Sequence, residues 1–445
     1  MLEPIFAMTP QAVYAARREQ LSARLGPRAV ALFVAPPETL RNGDSHYRYR
    51  QASDLLYLTG FGEPESALVV RPGAEAERTM LFVRARDPER EIWDGRRAGV
   101  EGAVRDHGAD AAYVYDELAT RLPALLAGAD ELHYSVGLDP RIDALVMGTI
   151  ARMRLGERRL GRPPTRIVDP RGSVHELRLM KGPEEVATLR RAAALTADAH
   201  VAAMRAGRPG AWEYELEAAI EHAFRTGGAA GPGYTTIVGA GGNATVLHYI
   251  ENSAQVAAGD LVLVDAGAEV DGYTADVTRT FPASGSFTPA QRRAYEVVLR
   301  AEEEAIAMTR PGVTLDALHE HAALVLTTGM VELGLLAGPA ADRIADGTYR
   351  RYYMHRTSHW LGLDVHDVGT YFGSDGAPRP LAAGMVITIE PGLYVAPTDS
   401  HAPAELRGLG VRIEDDILVT ADGHDVLTIA TPKQVADVER ACTRS

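Results

Sequence analysis

The sequence predicts an α+β protein of two domains, with a smaller N-terminal α/β domain and a C-terminal domain in which one α/β unit occurs twice. Three observations predict it. At 445 residues the chain is too long for one ordinary hydrophobic core. Residues 1 to about 170 read as alternating short strands and helices. The second half then repeats a set of short motifs in the same order.

In the N-terminal part, RAVALFVAP (28–36), SALVVRPG (66–73) and TMLFVRA (79–85) are short apolar strand candidates. TPQAVYAARREQLSARL (9–25) and YDELATRLPALLAG (115–128) have the apolar periodicity of helices. A long helix then opens at Pro183, with Glu184 and Glu185 in its first turn where acids favour the helix dipole, and runs towards Gly207. The domain boundary falls ahead of it, at about 172–180, giving domains 1–175 and 176–445.

The repeat carries the argument further. RPGAWEYEL (208–216) recurs as RPGVTLDAL (310–318), each opening an amphipathic helix. AAGDLVLVDAG (257–267) recurs as AAGMVITIEPG (382–392), so Asp265 and Glu390 are equivalent, each six residues after the glycine. Downstream, Ala275-Asp276-Val277 has a counterpart in Ile413-Glu414-Asp415. Two copies of helix plus β-ribbon, each delivering two carboxylates, imply a pseudo-two-fold site between them.

In the first ribbon, LVLVDAGAEVDGYTADVTRTF (261–281), a four-residue loop over Glu269–Gly272 would pair Ala268 with Tyr273 and set Asp265 directly opposite Asp276. Opposed side chains have Cβ atoms only about 4.5–5.5 Å apart. Two bare carboxylates there would repel, and burial would push a proton onto one of them; a cation removes the conflict. The bland alternative, two solvated acids, fits poorly with LVLVDAG, where the acid interrupts a run that reads as buried.

The stretch HRTSHWLGLDVHDVG (355–369) adds three of the fourteen histidines. His355 and His359 have the i, i+4 spacing of a helical ligand pair, yet Gly362, Gly369 and the alternation of Leu363 with Val365 argue against a helix. Four carboxylates and an imidazole suit Mn²⁺ first, with Co²⁺, Fe²⁺ or Zn²⁺ as alternatives, rather than a thiolate-seeking metal. Four acids exceed what one catalytic divalent ion needs. Two ions about 3.5–4 Å apart, holding a hydroxide between them, balance the charge and make a hydrolase design.

Composition limits the rest. The net charge of −14 disfavours a nucleic-acid partner. The single cysteine, Cys442, excludes an internal disulfide. No window approaches the roughly eighteen apolar residues of a membrane span. MLEPIFAMTPQAVYAARREQL lacks a basic stretch followed by an apolar run, so no signal peptide is expected and a cytoplasmic location is the default.

With these residues in place, the chain resembles the Xaa-Pro aminopeptidases (aminopeptidase P) of the pita-bread metallopeptidase family. The resemblance rests on VDAGAEVDGYTADVTRTF, SHWLGLDVHDVG, TIEPGLYV and GVRIEDD, in the family's order, over most of residues 180–430. It extends to NGDSHYRYRQASDLLYLTGF (42–61) and EIWDGRR (91–97) in the N-terminal domain. It implies five ligands for two divalent ions: Asp265, Asp276, His359, Glu390 and Glu414. Asp276 and Glu414 would bridge both, Asp265 would chelate one, and His359 with Glu390 would complete the other. Glu390 would also be the general base. His248 and His366 match substrate-side histidines; His355 and Arg412 match positions that shape the pocket. Arg412 alternates with Val411 and Ile413 and could simply neutralise buried acids, including Asp276. Tyr394 and Trp93 match substrate-contacting positions, Trp93 reaching from a neighbouring subunit; a strand-capping tyrosine and a surface aromatic are the plain alternatives. Trp360, Leu361, Leu363 and Val365 are expected in the core.

The implied activity is release of the N-terminal residue from peptides with proline second, by a homo-oligomeric dimer or tetramer. The bond before proline is a tertiary amide with no N–H, so an enzyme that grips its substrate with metals and histidines loses nothing there. A prolidase restricted to dipeptides, a metal-free creatinase-type hydrolase and a non-catalytic binding module are the alternatives. The last two are disfavoured because all five ligand types are present.

Overall fold

The computed structural model describes residues 9–443, in two compact units spanning Met1–Arg178 and Leu179–Ser445. The first eight residues of the stretch searched for a signal peptide lie outside the described range.

The first unit is built on a six-stranded mixed sheet. Across it the strands run Ala111–Val114, Thr79–Val83, Ala67–Val70, Ala29–Val34, Glu131–His133 and Arg166–Val168. The three strands expected from apolar runs are present, each trimmed by a few residues at its polar ends. Val30, Leu32, Val69 and Phe82 bury against Leu122, Val146 and Ile150 from the helices Leu118–Leu126 and Pro140–Leu155. The helix Gln11–Arg24 buries two arginines. Arg17 and Arg18 donate to the carbonyls of Tyr57 and Leu58, satisfying the C-terminal end of the helix Ser53–Thr59.

In the second unit the repeat is visible atom by atom. The helices Glu213–Thr226 and Leu315–Glu332 each follow an RPG turn whose glycine, Gly210 or Gly312, has φ 89°. Gly210 N donates to Val256 O at 2.8 Å and Gly312 N to Leu381 O at 2.9 Å. Both acceptors lie three residues before the AAG glycines, Gly259 and Gly384, which share φ 94°. Only glycine holds such conformations without strain, which explains why both turns are spelled with it. The long helix Pro183–Ala206 and its counterpart Pro289–Met308 pack the two ribbons, with Phe281, Val298, Leu393 and Val411 in the shared core.

The first ribbon corrects one expectation. Its turn is the two-residue Asp271-Gly272, with Val270 paired to Tyr273, not a four-residue loop. Both turn residues have positive φ, 50° and 85°, the primed hairpin turn that matches strand twist and that Asp-Gly encodes. Asp265 therefore faces Thr278, and Asp276 is not its direct partner. The error is a slip of two residues. Because the side-chain period is also two, both acids stay on the same face as diagonal neighbours. In the second ribbon Ile389 pairs with Asp415 and Gly392 with Arg412. That register sets Glu390 directly opposite Glu414, so the ladder counterpart of Glu414 in the first ribbon is Thr278 and not Asp276.

Candidate metal centre

The two ribbons bring their acids into one cavity of about 940 Å³, lined among others by Asp265, Asp276, Glu390, Glu414, His359, His355, Arg412, His248 and His366. Asp265, Asp276 and Glu414 are buried, and Glu390 is half-buried. Ligand atoms of Asp276, His359 and Glu414 all lie within 4.8 Å of one another. Thr278, on the ladder position opposite Asp265, donates its hydroxyl to Glu414 Oε2 at 2.6 Å and so ties the ribbons together.

The segment carrying His355 and His359 is extended, as its glycines and alternation require. It runs along the strand Val386–Ile389: Thr388 N donates to His359 O at 3.0 Å, Leu361 N to Val386 O at 3.0 Å, and Glu390 N to Thr357 O at 2.8 Å. His359 and Glu390 are thus placed by adjacent backbone. His359 Nδ1 donates to Trp360 O at 3.0 Å, which turns Nε2 towards the acids, 3.4 Å from Asp276 and 3.6 Å from Glu390. A ligand imidazole is oriented this way, with one nitrogen held by a carbonyl and the other aimed at the ion.

The electrostatics fit the same group. Burial, together with Asp276, Glu390 and Asp265 alongside, pushes Glu414 well above the carboxylate range. Burial lifts Glu390 to about 7 against the pull of His359 and Arg412. Burial and Asp276 also raise Asp265, opposed by Arg412. Burial disfavours the charged form of His359, yet Asp276 and Glu390 outweigh it and hold the ring at about 9. The protein supplies one guanidinium and one imidazole to four carboxylates. That surplus of buried negative charge is what divalent cations neutralise.

Arg412 is the guanidinium, and its partner is Asp265 rather than Asp276. It also donates to Thr278 Oγ1 at 2.9 Å and to the Tyr394 hydroxyl at 3.1 Å. Tyr394 in turn lies 2.9 Å from His355 Nε2, while His355 Nδ1 donates to Arg356 O at 2.8 Å. Tyr394 is buried behind the cavity lining, bonded to these two partners and packed with Ile237 and Leu247. His248 and His366 are exposed at the cavity, the His366 ring standing edge-on to His359 with centroids 4.4 Å apart. Trp360, Leu361 and Leu363 are core residues, but Val365 lines the cavity. Trp93 belongs to the first unit, 85% exposed on the short helix Pro88–Asp94.

Two residues at the site escape the sequence reading. The Tyr234 hydroxyl sits 2.6 Å from both Asp265 Oδ1 and Asp276 Oδ1. Nothing local marks it, because its position follows from a long-range pairing of Gly231–Pro232 with Ala268–Glu269. Asp416 accepts from the Asp276 backbone N–H at 3.1 and 3.3 Å. Its signal was available: it stands two residues after Glu414 in GVRIEDD, the spacing that returns a side chain to the same face of an extended chain.

A duplicated α/β unit whose paired ribbons pool carboxylates beside a histidine from a neighbouring extended segment has the construction of a metal-dependent hydrolase. Residues 187–421 match the family described as "Metallopeptidase family M24", and residues 14–134 match "Aminopeptidase P, N-terminal domain". The chain belongs to metallopeptidase family M24, and its architecture is that of aminopeptidase P, the pita-bread fold preceded by that N-terminal domain. It is 45% identical to the Xaa-Pro aminopeptidase of Escherichia coli over 424 residues, 95% of this chain and 96% of that one. It is 33% identical to human Xaa-Pro aminopeptidase 3, over 98% of this chain and 86% of that one. Among solved structures, Pseudomonas aeruginosa aminopeptidase PepP superimposes with a TM-score of 0.96 at 45% identity, covering 98% of this chain and 99% of that one. Aminopeptidase P from E. coli with the inhibitor Pro-Leu gives a TM-score of 0.94 at 43% identity, with the same coverage.

Proposed function

We propose that this protein is a dinuclear metal-dependent exopeptidase that releases the N-terminal residue from peptides with proline in second position. The observation that carries the reading is the convergence of Asp265, Asp276, Glu390, Glu414 and Nε2 of His359 on one cavity. Asp276 and Glu414, one from each ribbon, would hold the ions together with Asp265, His359 and Glu390, and the oxygen-rich set favours Mn²⁺ over Co²⁺, Fe²⁺ or Zn²⁺. Metal held there would supply Lewis acidity, lowering the pKa of a bound water and polarising the scissile carbonyl.

The chain's own residues do the rest. Glu390 takes the proton from the attacking water and returns it to the departing proline nitrogen. His248 and His366, exposed beside the ligands, hold the substrate around the scissile bond. His355, Tyr394 and Arg412 form a hydrogen-bonded back wall that fixes Asp265. Leu247, Ile250, Val365 and Phe372 supply apolar lining that suits a proline ring. Residues 176–445 form the catalytic domain and 1–175 the aminopeptidase P-type domain; the compact units and the two family matches support this division. A homo-oligomer is supported by the exposed Trp93, and a cytoplasmic location by the lone thiol; among the described residues no helix is long and apolar enough to cross a membrane.

The test compares Xaa-Pro with Xaa-Pro-Xaa peptides using metal-stripped protein reloaded with Mn²⁺. Turnover of the longer peptide, restored by the metal and abolished in Asp276→Ala and Glu414→Ala, is expected. Activity confined to the dipeptide, or independent of metal, overturns the reading.

A further inference from the structure

Outside the ligand set, Lys181 and Asp367 form a deeply buried ion pair, Nζ to Oδ2 2.9 Å, with both side chains 1% exposed. Neither residue lines the cavity, yet Asp367 directly follows His366, which does. The surroundings show a clamp. Residues 179–182, just ahead of the helix Pro183–Ala206, lie against the loop 361–369 at two points. Lys181 meets Asp367 beneath Gly362, where an added Cβ would stand 2.2 Å from Asp367 Oδ2 and 2.9 Å from Lys181 Cε. Leu179 meets Gly369, whose Cβ would stand 2.9 Å from Leu179 Cδ1.

Backbone bonds extend the clamp in both directions. Lys181 N donates to Gly384 O at 2.8 Å, at the turn that opens the strand leading to Glu390. Asp367 N donates to Trp360 O at 2.8 Å, and Gly362 O accepts from Thr274 N of the first ribbon at 3.0 Å. Asp367 is therefore held at both its backbone and its side chain, one residue from an exposed histidine. A buried ion pair seldom stabilises a fold more than an apolar pair of the same volume would, because both charges must be desolvated. What it does provide is a directional, fixed-length contact between two segments.

We infer that Lys181 and Asp367 are positioning residues which, as a buried ion pair, fix the loop that presents His366 to the substrate. This rests on the reading that His366 contacts substrate in the proposed peptidase. An apolar replacement would keep the packing but lose the fixed register of the loop, and a misplacement of about 1 Å at a reacting group can cost a hundredfold in rate.

The test is a cycle on the metal-loaded, full-length protein with an Xaa-Pro-Xaa peptide. Lys181→Met/Asp367→Leu is expected to bind metal and unfold at the parent's temperature or above, while kcat falls about tenfold or more. In a His366→Ala background the same pair of changes is expected to leave kcat within about twofold, because the pair acts only through His366. Should the apolar pair fold poorly, Asp367→Asn, which keeps the shape and a weaker contact to Lys181, is read in the same two backgrounds with a smaller loss. Unchanged kcat in the parent background, an equal loss in the His366→Ala background, or a fall in metal content each overturns the inference. A parent protein that does not cleave the peptide overturns the peptidase reading itself, and a parent whose kcat is insensitive to His366→Ala removes that residue's substrate role.

Discussion

Tyr234 shows how one side chain shapes the centre. Its hydroxyl stands 2.6 Å from a carboxylate oxygen of each first-ribbon acid, and burial with those acids alongside raises its own pKa well above the usual tyrosine value. It stays protonated and donates to one acid at a time, easing their mutual repulsion. Tyr234→Phe is expected to keep the fold and weaken Mn²⁺ binding about tenfold, the lower end of what losing a ligand-orienting partner costs. Isothermal titration of the metal-free variant measures it; affinity equal to the parent's would remove Tyr234 from the centre.

His200 belongs to the same scale, but it acts through protons. Buried in the helix Pro183–Ala206, it donates Nε2 to Ala266 O at 3.1 Å, next to Asp265. Burial, with Arg279 nearby, lowers it to about 4 from the ordinary 6.5. A histidine depressed on folding is neutral in the native state but protonated in the unfolded chain between those values. The unfolded state then binds more protons, so stability is full above about 6.5 and declines as pH falls towards 4. A shift of this size corresponds to about 3 kcal/mol. His200→Gln should flatten that part of the pH–stability curve of the metal-free protein, read by denaturant unfolding at each pH; an unaltered slope contradicts the assignment.

Between residue and fold stand the ribbons, where close approach of backbone matters most. Gly267 faces Asp276 across the first ribbon, and an added Cβ would lie 1.7 Å from Ala275 O. The two strands that carry Asp265 and Asp276 cannot separate by that much without moving the acids. Gly267→Ala is expected to destabilise by about 2 kcal/mol, as overpacking does, and to lower activity more than stability, because the acids lose their spacing. Thermal unfolding and turnover on the same sample separate the two effects; a variant equal to the parent in both would show that the ribbon yields.

The ribbons also explain what could be read from sequence. That Asp265 and Asp276 share a face was legible, because it depends only on the parity of the alternation. Their offset was not read, because it depends on turn length, although the Asp271-Gly272 dipeptide carried that information. Equivalence of Asp265 and Glu390 was legible from the glycines ahead of them. The pairing of Glu414 with Thr278 was hidden, because linear spacing in the downstream strand does not report ladder register. Tyr234 was not legible at all, since it reaches the acids through a strand pairing remote in sequence. The extended path of the histidine segment, by contrast, followed from two glycines and an alternation.

At the scale of the whole molecule, the duplicated unit makes the centre a joint property of two halves. The cavity gathers four acids, Asp265, Asp276 and Glu414 buried and Glu390 half-buried, against Arg412 of the second ribbon and His359. A second buried charge group shows the contrast: Asp415 and Glu302 are matched by Arg279 and Lys433. Each acid there has a cation partner, whereas the four cavity acids share one guanidinium and one imidazole, so stability of the second unit should depend on metal while the Asp415 cluster needs none. A ligand that binds only the folded state stabilises it by mass action, about 2.7 kcal/mol at a hundredfold excess over its dissociation constant. Removing metal with a chelator should therefore lower the unfolding temperature, and adding Mn²⁺ should restore it in a concentration-dependent way. Glu414→Ala should lose most of that metal dependence while, without metal, unfolding no earlier than the parent, because it deletes one of the uncompensated acids. Differential scanning calorimetry of both proteins, stripped and reloaded, reads this directly. A parent whose unfolding ignores metal, or a variant that keeps the parent's full metal-dependent shift, would mean that the four acids are balanced by some means other than a bound cation.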